Sequence, residues 1–202
     1  MNQSEKRLFL IQSLLNERPS CQKQIIPADS ERQNILLRGL MNVRRPVRIG
    51  ADFLQVQDAY LQDETAAKGI TDIADLTPIQ PGLYLWQGDI TTLKCDAIVN
   101  AANSGMTGCY IPNHRCIDNA IHTFAGVELR LTCEQLMEQQ GYPEPTGQAK
   151  ITPALFPTRG TNNCCAWSSS STAMFCLKKV EAAKMIIAEL IAQPITMDRS
   201  VS

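Results

Sequence analysis

Within eight positions of this 202-residue chain, Cys109, His114 and Cys116 set two thiols and an imidazole in a C-xxxx-H-x-C spacing. Those are the ligand types that a borderline-soft ion such as zinc prefers. This loop holds no fourth Cys or His. A site with three protein ligands leaves one coordination position for water or a substrate oxygen, the arrangement of catalytic rather than structural zinc. Gly105, Gly108 and Pro112 disfavour a regular helix through the ligands, so a loop must hold them. Taken singly, each residue also reads as a buried thiol or as a loop histidine satisfied by its neighbours. Asn100-Ala-Ala-Asn103 lies a few residues upstream and adds amides able both to donate and to accept.

The loop needs a scaffold on each side. Before it, Leu83-Tyr-Leu-Trp86 reads as a strand running into a turn at Gly88-Asp-Ile-Thr91. Asp96-Ala-Ile-Val-Asn100 is a short apolar run that fits a buried parallel strand. After the loop, a helix is expected to begin near Cys116 and to break at Gly126. A second helix is expected from Glu128 to Gln140, with Leu129, Cys133, Leu136 and Met137 on one face and Gly141 as its stop. Gln148-Ala-Lys-Ile-Thr152 reads as a further strand. Short strands alternating with helices argue for an α/β layered domain.

Upstream, residues 1–75 carry helical periodicity. Leu8, Ile11, Leu14 and Leu15 recur on one face, as do Ile35, Leu36, Leu40 and Met41, with Arg45-Pro46 ending the second helix. A third, short helix is expected around Phe53, Val56, Ala59 and Tyr60, and the chain turns around Pro78, Pro81 and Gly82. Residues 157–177 show neither period. Residues 178–193 predict a last helix, with Val180, Ala183, Ile187, Leu190 and Ile191 on one face and Pro194 as its end. The organisation read from these patterns is a helical N-terminal extension over 1–75, an α/β domain over 76–193 and a tail over 194–202.

Bulk composition narrows the classes. A chain 44% hydrophobic and 19% charged is ordinarily globular, and its length suits one sizeable domain with a small appendage. Lys and Arg number 19 against 20 Asp and Glu, which argues against an electrostatic grip on nucleic acid or on an anionic membrane. No run approaches the roughly 20 apolar residues of a membrane span. Leu8-Phe-Leu-Ile11 is followed at once by Gln12 and Ser13, without a small-residue cleavage site, so no signal peptide is expected and the protein is placed in the cytoplasm. In that compartment the 8 cysteines are expected to be reduced thiols. A redox role is disfavoured because no pair has C-x-x-C spacing.

At Gly88-Asp-Ile-Thr91, at Asp96-Ala-Ile-Val-Asn-Ala-Ala-Asn103 and from Gly108 to Gly126, the chain resembles the macrodomain family. More narrowly, it resembles the microbial zinc-dependent macrodomains that hydrolyse ADP-ribose from modified proteins. The resemblance runs from about residue 32 to about residue 157 and includes Gln57-Asp-Ala-Tyr-Leu-Gln-Asp63 and Gly147-Gln-Ala-Lys150. It implies a three-layer fold, a mixed sheet flanked by helices. It also implies zinc on Cys109, His114 and Cys116, which with Asn103 would form the catalytic centre. Asp89 would hold the adenine amino group, the Ile90 backbone a phosphate, Asn103 the distal ribose, and the backbone of Cys116, Ile117 and Asp118 the anionic or oxygen-rich part of the ligand at a helix N-terminus. Other readings stand beside these. Asp89 is also a turn residue, Asp118 a first-turn acid complementing the helix dipole, and Asn100 a cap for loop backbone. His122, on the face of Asp118, reads as a core or supporting residue ahead of a ligand.

The chain departs from that family in its second phosphate loop, of the form Ser-Thr-Gly-x-Phe-Gly. Its counterpart here, Ser171-Thr-Ala-Met-Phe-Cys176, replaces both glycines, by Ala173 and Cys176. Glycine suits that loop because the backbone must approach the pyrophosphate closely. Ser171, Thr172, Ala173, Met174 and Phe175 are carried over as ligand contacts on this resemblance alone. The ten residues between Pro157 and Ser168 stand where the family has several dozen, which implies an internal deletion after about residue 157 and an incomplete domain. The implied function is a glycosidase-type, zinc-dependent hydrolase that removes ADP-ribose from mono-ADP-ribosylated proteins. Its partners would be those proteins and ADP-ribose, with no nucleic acid and no membrane. The competing readings are a non-catalytic ADP-ribose-binding macrodomain and a degenerate, inactive homologue.

Overall fold

The computed structural model describes residues 1–18, 24–95 and 97–153, together with the backbone of strands at 164–169, 172–173 and 185–187. Three helices come first: α1 (Gln3–Asn16), α2 (Ser30–Val43) and α3 (Ala51–Lys68). A capping box opens α1, the Asn2 side chain accepting from the Glu5 N–H while the Glu5 carboxylate accepts from the Asn2 N–H. Asp29 caps α2, its carboxylate accepting from the Arg32 N–H. That helix stops at Val43, just ahead of Arg45-Pro46, where proline disfavours helical backbone in the residue before it. α3 is longer than its apolar pattern suggests, because residues 62–68 continue the helix beyond Leu61 until Gly69, at φ 85, closes it.

Leu10, Ile11, Leu14 and Leu15 of α1 pack with Leu37, Leu40 and Met41 of α2 and with Phe53, Tyr60 and Leu61 of α3. Leu8 and Ile35, expected on the buried faces, are exposed instead; the contact stripes centre on Leu10 and Leu37. Val127, from a later helix, joins this same cluster, so the N-terminal helices share a core with the rest of the chain.

The later elements are α4 (Ile117–Phe124) and α5 (Val127–Gln140) with short strands β1 (Thr71–Asp72), β2 (Pro78–Gln80), β3 (Leu83–Leu85), β4 (Leu93–Lys94), β5 (Ala97–Ala101), β6 (Cys164–Ser169), β7 (Thr172–Ala173) and β8 (Met185–Ile187). β5 pairs in parallel with β6, from Ala97 opposite Cys164 to Ala101 opposite Ser168, and β6 pairs antiparallel with β7. β3 lies antiparallel to β2 and parallel to β8, and β1 is parallel to β4. This is an α/β arrangement in which helices flank small mixed sheets. Ile98 and Ala102 pack against Met106, Ile121, Ala125, Leu129 and Cys133, joining β5 to α4 and α5. Gly141, at φ 76, ends α5 as expected. Among the described residues no helix is long and apolar enough to cross a membrane.

The strand pattern corrects three expectations. Cys164–Ser169 is a strand inside the stretch read as irregular, because a parallel neighbour supplies the order that its own sequence does not signal. Met185–Ile187 is a strand beside β3, not part of a helix over 178–193; partner pairing overrides the helical period there. In Gln148–Thr152, Ile151 alone takes a bridge position and the rest is loop. The other residues of 154–163, 170–171, 174–184 and 188–202 lie outside the described residues.

Candidate metal centre

The ligand loop leaves the end of β5. Asn103 shapes its first turn, its Nδ2 donating to the Gly108 carbonyl at 3.2 Å while its Oδ1 accepts from the Gly105 N–H at 2.9 Å. Met106 takes φ 61, rare for this residue type, and inserts fully into the core as the apolar anchor of the loop. Gly108 follows at φ 86, where a Cβ would collide with the His122 ring; the backbone can cross the imidazole there because the residue is glycine.

The next turn mounts His114. Its N–H donates to the Ile111 carbonyl at 3.3 Å, and Asn113 between them takes φ 55. Pro112 and Asn113 suit such a turn, since proline presets φ at its second position and asparagine tolerates the left-handed region at its third. Cys116 then caps α4, its Sγ accepting from the Asn119 N–H at 3.4 Å.

These turns bring the three expected ligands together. The ligand atoms of Cys109, His114 and Cys116 lie within 4.8 Å of one another, and Cys109 Sγ is 3.5 Å from His114 Nδ1. Ligand atoms around tetrahedral zinc stand about 3.5–3.8 Å apart, so the set fits the ion after modest closure. His114 is exposed and the two cysteines are half-buried, which leaves one side open. Burial pushes the Cys116 thiol up against the lowering effect of the Asn119 N–H, and Cys109 adds to the rise. A cation among the three would favour the thiolate instead.

Asn100 is part of the support beneath the loop. Its Nδ2 donates to Asp118 Oδ1 at 2.8 Å with both residues buried, so it braces β5 against α4 rather than capping loop backbone. Asp118 is correspondingly more than a first-turn acid: its carboxylate is sealed under the helix start and lies 3.7 Å from His122 Nε2. Burial pushes Asp118 up to about 6 despite the Asn100 hydrogen bond. Burial first, and then the charge of Arg130, hold His122 well below the ordinary histidine value. His122 is therefore a neutral core residue near pH 7, as its solitary place on the helix face suggested.

Asp89 caps the short 3-10 turn Ile90–Thr92. One carboxylate oxygen accepts from the Thr91 N–H at 3.0 Å and the Thr91 hydroxyl at 2.6 Å; the other meets Lys68 Nζ at 2.9 Å. Burial would raise its pKa, but these hydrogen bonds from Thr91 and Lys68 together hold the carboxyl below the usual range. The turn role of Asp89 is thus present in the structure. Lys68 also lies 3.4 Å from the centre of the Phe124 ring. The Ile90 side chain packs on the β5–α4–α5 core. Thr172 and Ala173 form β7, opposite Ser169 and Ser168; Ser171, Met174 and Phe175 lie outside the described residues.

One group of contacts was not singled out in the sequence. Arg38 donates to the His114 carbonyl at 3.1 Å and to Asn119 Oδ1 at 3.0 Å, and Asn42 Oδ1 accepts from the Asn113 N–H at 3.0 Å. Gly39 lets α2 approach this turn, where a Cβ would stand 3.1 Å from Asn113 Nδ2. Arg130 of α5 donates to the carbonyls of Met41, Asn42 and Arg44 and lies 4.2 Å from the Tyr110 ring centre. The available signal was Gly39, a glycine inside a helical pattern with polar Arg38 and Asn42 beside it.

Residues 99–186 match the family model described as Macro domain. A curated relative from Treponema medium, described as protein-ADP-ribose hydrolase, is 58% identical over 159 residues, which is 77% of this chain and 61% of that protein. A relative of the same description from Staphylococcus aureus (strain MRSA252) is 48% identical over 145 residues, 71% of this chain and 54% of that protein. The chain thus spans less than two thirds of the length of these relatives. The crystal structure of a Trypanosoma brucei macrodomain in complex with ADP-ribose is 22% identical, covering 65% of this chain and 58% of that one at a TM-score of 0.41. Strand β5, the ligand loop and helices α4 and α5 all fall in or at the edge of the stretch over which the chain is similar to the Macro domain family.

Proposed function

We propose that this protein is a zinc-dependent hydrolase that releases ADP-ribose from mono-ADP-ribosylated proteins in the cytoplasm. The observation that carries the reading is the convergence of Cys109, His114 and Cys116 within 4.8 Å, on a loop hung between β5 and α4 of a Macro domain. The description of the relatives from Treponema medium and Staphylococcus aureus as protein-ADP-ribose hydrolases supports it.

In this reading Cys109, His114 and Cys116 hold the ion, with the exposed His114 side turned to the substrate. Zinc, when bound, supplies a Lewis acid beside the scissile linkage at the anomeric carbon. Asn103 takes the distal ribose hydroxyls with the amide that now spans Gly105 and Gly108. Asp89 takes the adenine amino group on the oxygen that now meets Lys68, and the Ile90 backbone takes a phosphate. The first amides of α4, at Cys116, Ile117 and Asp118, favour an anionic or oxygen-rich group. Residues 171–175 complete the diphosphate contacts. Asn100, Asp118 and His122 form the buried support that keeps the loop against α4. The near-balanced charge of the chain argues against an electrostatic grip on nucleic acid or on a membrane surface.

The test pairs metal analysis with an ADP-ribose release assay on wild-type protein and Cys116→Ala. Wild type is expected to hold about one zinc per chain and to release ADP-ribose, while Cys116→Ala loses both. Full zinc and full turnover in the variant would end the ligand assignment. Zinc-loaded, folded protein that binds ADP-ribose without turnover would make this a binding module instead.

A further inference from the structure

His114 presents its ligand nitrogen from an exposed turn, and that turn is fixed from outside. Asn119 Nδ2 donates to the Ile111 carbonyl at 3.1 Å, Asn42 Oδ1 accepts from the Asn113 N–H at 3.0 Å, and Arg38 donates to the His114 carbonyl at 3.1 Å. Asn119 is fully buried, and its backbone N–H reaches Cys116 Sγ at 3.4 Å. The same Arg38 nitrogen that holds His114 also donates to Asn119 Oδ1 at 3.0 Å. One guanidinium nitrogen therefore touches the mounting of one ligand and the residue that mounts another. The base of this clamp is itself secured, because Asn42 donates to the Thr123 hydroxyl at 2.9 Å and Arg130 binds the carbonyls at the end of α2.

We infer that Arg38 is a positioning residue for the metal centre, acting through the His114 carbonyl and through Asn119, so that helix α2 helps to set the zinc affinity of the Cys109–His114–Cys116 site. This rests on the zinc reading above. The physical reason is preorganisation. A ligand set held near its bound geometry loses little freedom when the ion arrives, whereas a turn released from α2 must be ordered by the ion itself. The planar guanidinium can serve two acceptors at once, and its charge strengthens both hydrogen bonds.

The test measures zinc affinity by chelator competition on wild type, Arg38→Ala and Arg38→Gln, with fold monitored by circular dichroism. Arg32→Ala, which removes a charge from an exposed position on the same helix, is the control. The Co2+-substituted forms are compared by their thiolate-to-metal absorption, which reports ligand geometry rather than stability. Both Arg38 variants are expected to lose roughly tenfold in zinc affinity, on the scale of outer-shell effects at other metal sites, and to shift the cobalt spectrum. Arg32→Ala is expected to leave both unchanged. Wild-type affinity and spectrum in either folded Arg38 variant would overturn the inference and leave the proposed function standing. Wild-type protein that binds no zinc would overturn the zinc reading itself, and this inference with it.

Discussion

The helical layer of α1, α2 and α3 is held by side chains that water cannot reach: Leu10 and Ile11 are 0% exposed and Leu15 is 1%. The loop from Asn103 to Cys116 is assembled differently. Met106 anchors it in the core, and the rest depends on hydrogen bonds donated by Asn103, Arg38 and Asn119, on the one that Asn42 accepts from the Asn113 N–H, and on left-handed backbone at Gly108 and Asn113. Apolar burial is non-directional and scales with area, so it yields stability without fixing angles. Hydrogen bonds are directional and each adds little net stability, so they fix angles without adding much to the fold. The stability of this molecule and the geometry of its site therefore reside in different residues.

Truncation in the helical layer is the strongest way to test that separation. Leu10→Ala is expected to destabilise the protein by about 2–5 kcal/mol through a cavity in the first core. Thermal unfolding checks it, and zinc retention well below the lowered midpoint should match wild type. A large loss of zinc from the still-folded variant would break the comparison.

Gly108→Ala probes the opposite region. The positive φ of 86 alone costs an alanine about 1–3 kcal/mol, and a Cβ against the His122 ring cannot be accommodated unless the loop or the ring shifts. The loop is expected to move, so the thermal midpoint falls less than for Leu10→Ala while metal analysis shows most of the zinc lost. Equal midpoint losses in the two variants would show that loop and core are one cooperative unit.

The smallest effect concerns Asp89, whose carboxylate is 44% exposed. Its folded pKa lies below the ordinary 3.8, so the stability it contributes is present above that value and lost as pH falls through the lower folded one. Asp89→Asn should lower the thermal midpoint slightly at neutral pH, with the difference from wild type closing in acid. A gap that widens in acid would contradict the hydrogen-bond assignment of Thr91 and Lys68 to the ionised form.

The same division governs what can be read from the chain. The end of α2 ahead of Arg45-Pro46, the break at Gly126 and the stop at Gly141 follow from proline and glycine rules that act within a few residues. The ligand loop was legible because Cys109, His114 and Cys116 lie close in sequence, and Pro112-Asn113 signals the turn between them. Strand β6 was not legible, because its order comes from pairing with β5, whose register runs from Ala97 opposite Cys164. Asn103 and Asp89 could be named as candidate ligand contacts from the family resemblance, yet their present partners depend on loop conformations that no periodicity encodes.

The sequence by itself determined the donor set, the loop that bears it and the helices that flank it, since each depends on residue types and spacings within a short window. Tertiary structure decided what grips that loop. The bonds from Arg38 to His114 and Asn119 join residues 76 and 81 positions apart. Such contacts exist only once α2 and α4 have packed, because a hydrogen bond needs its partners within about 3 Å and in line, and helix packing, not local sequence, brings them there.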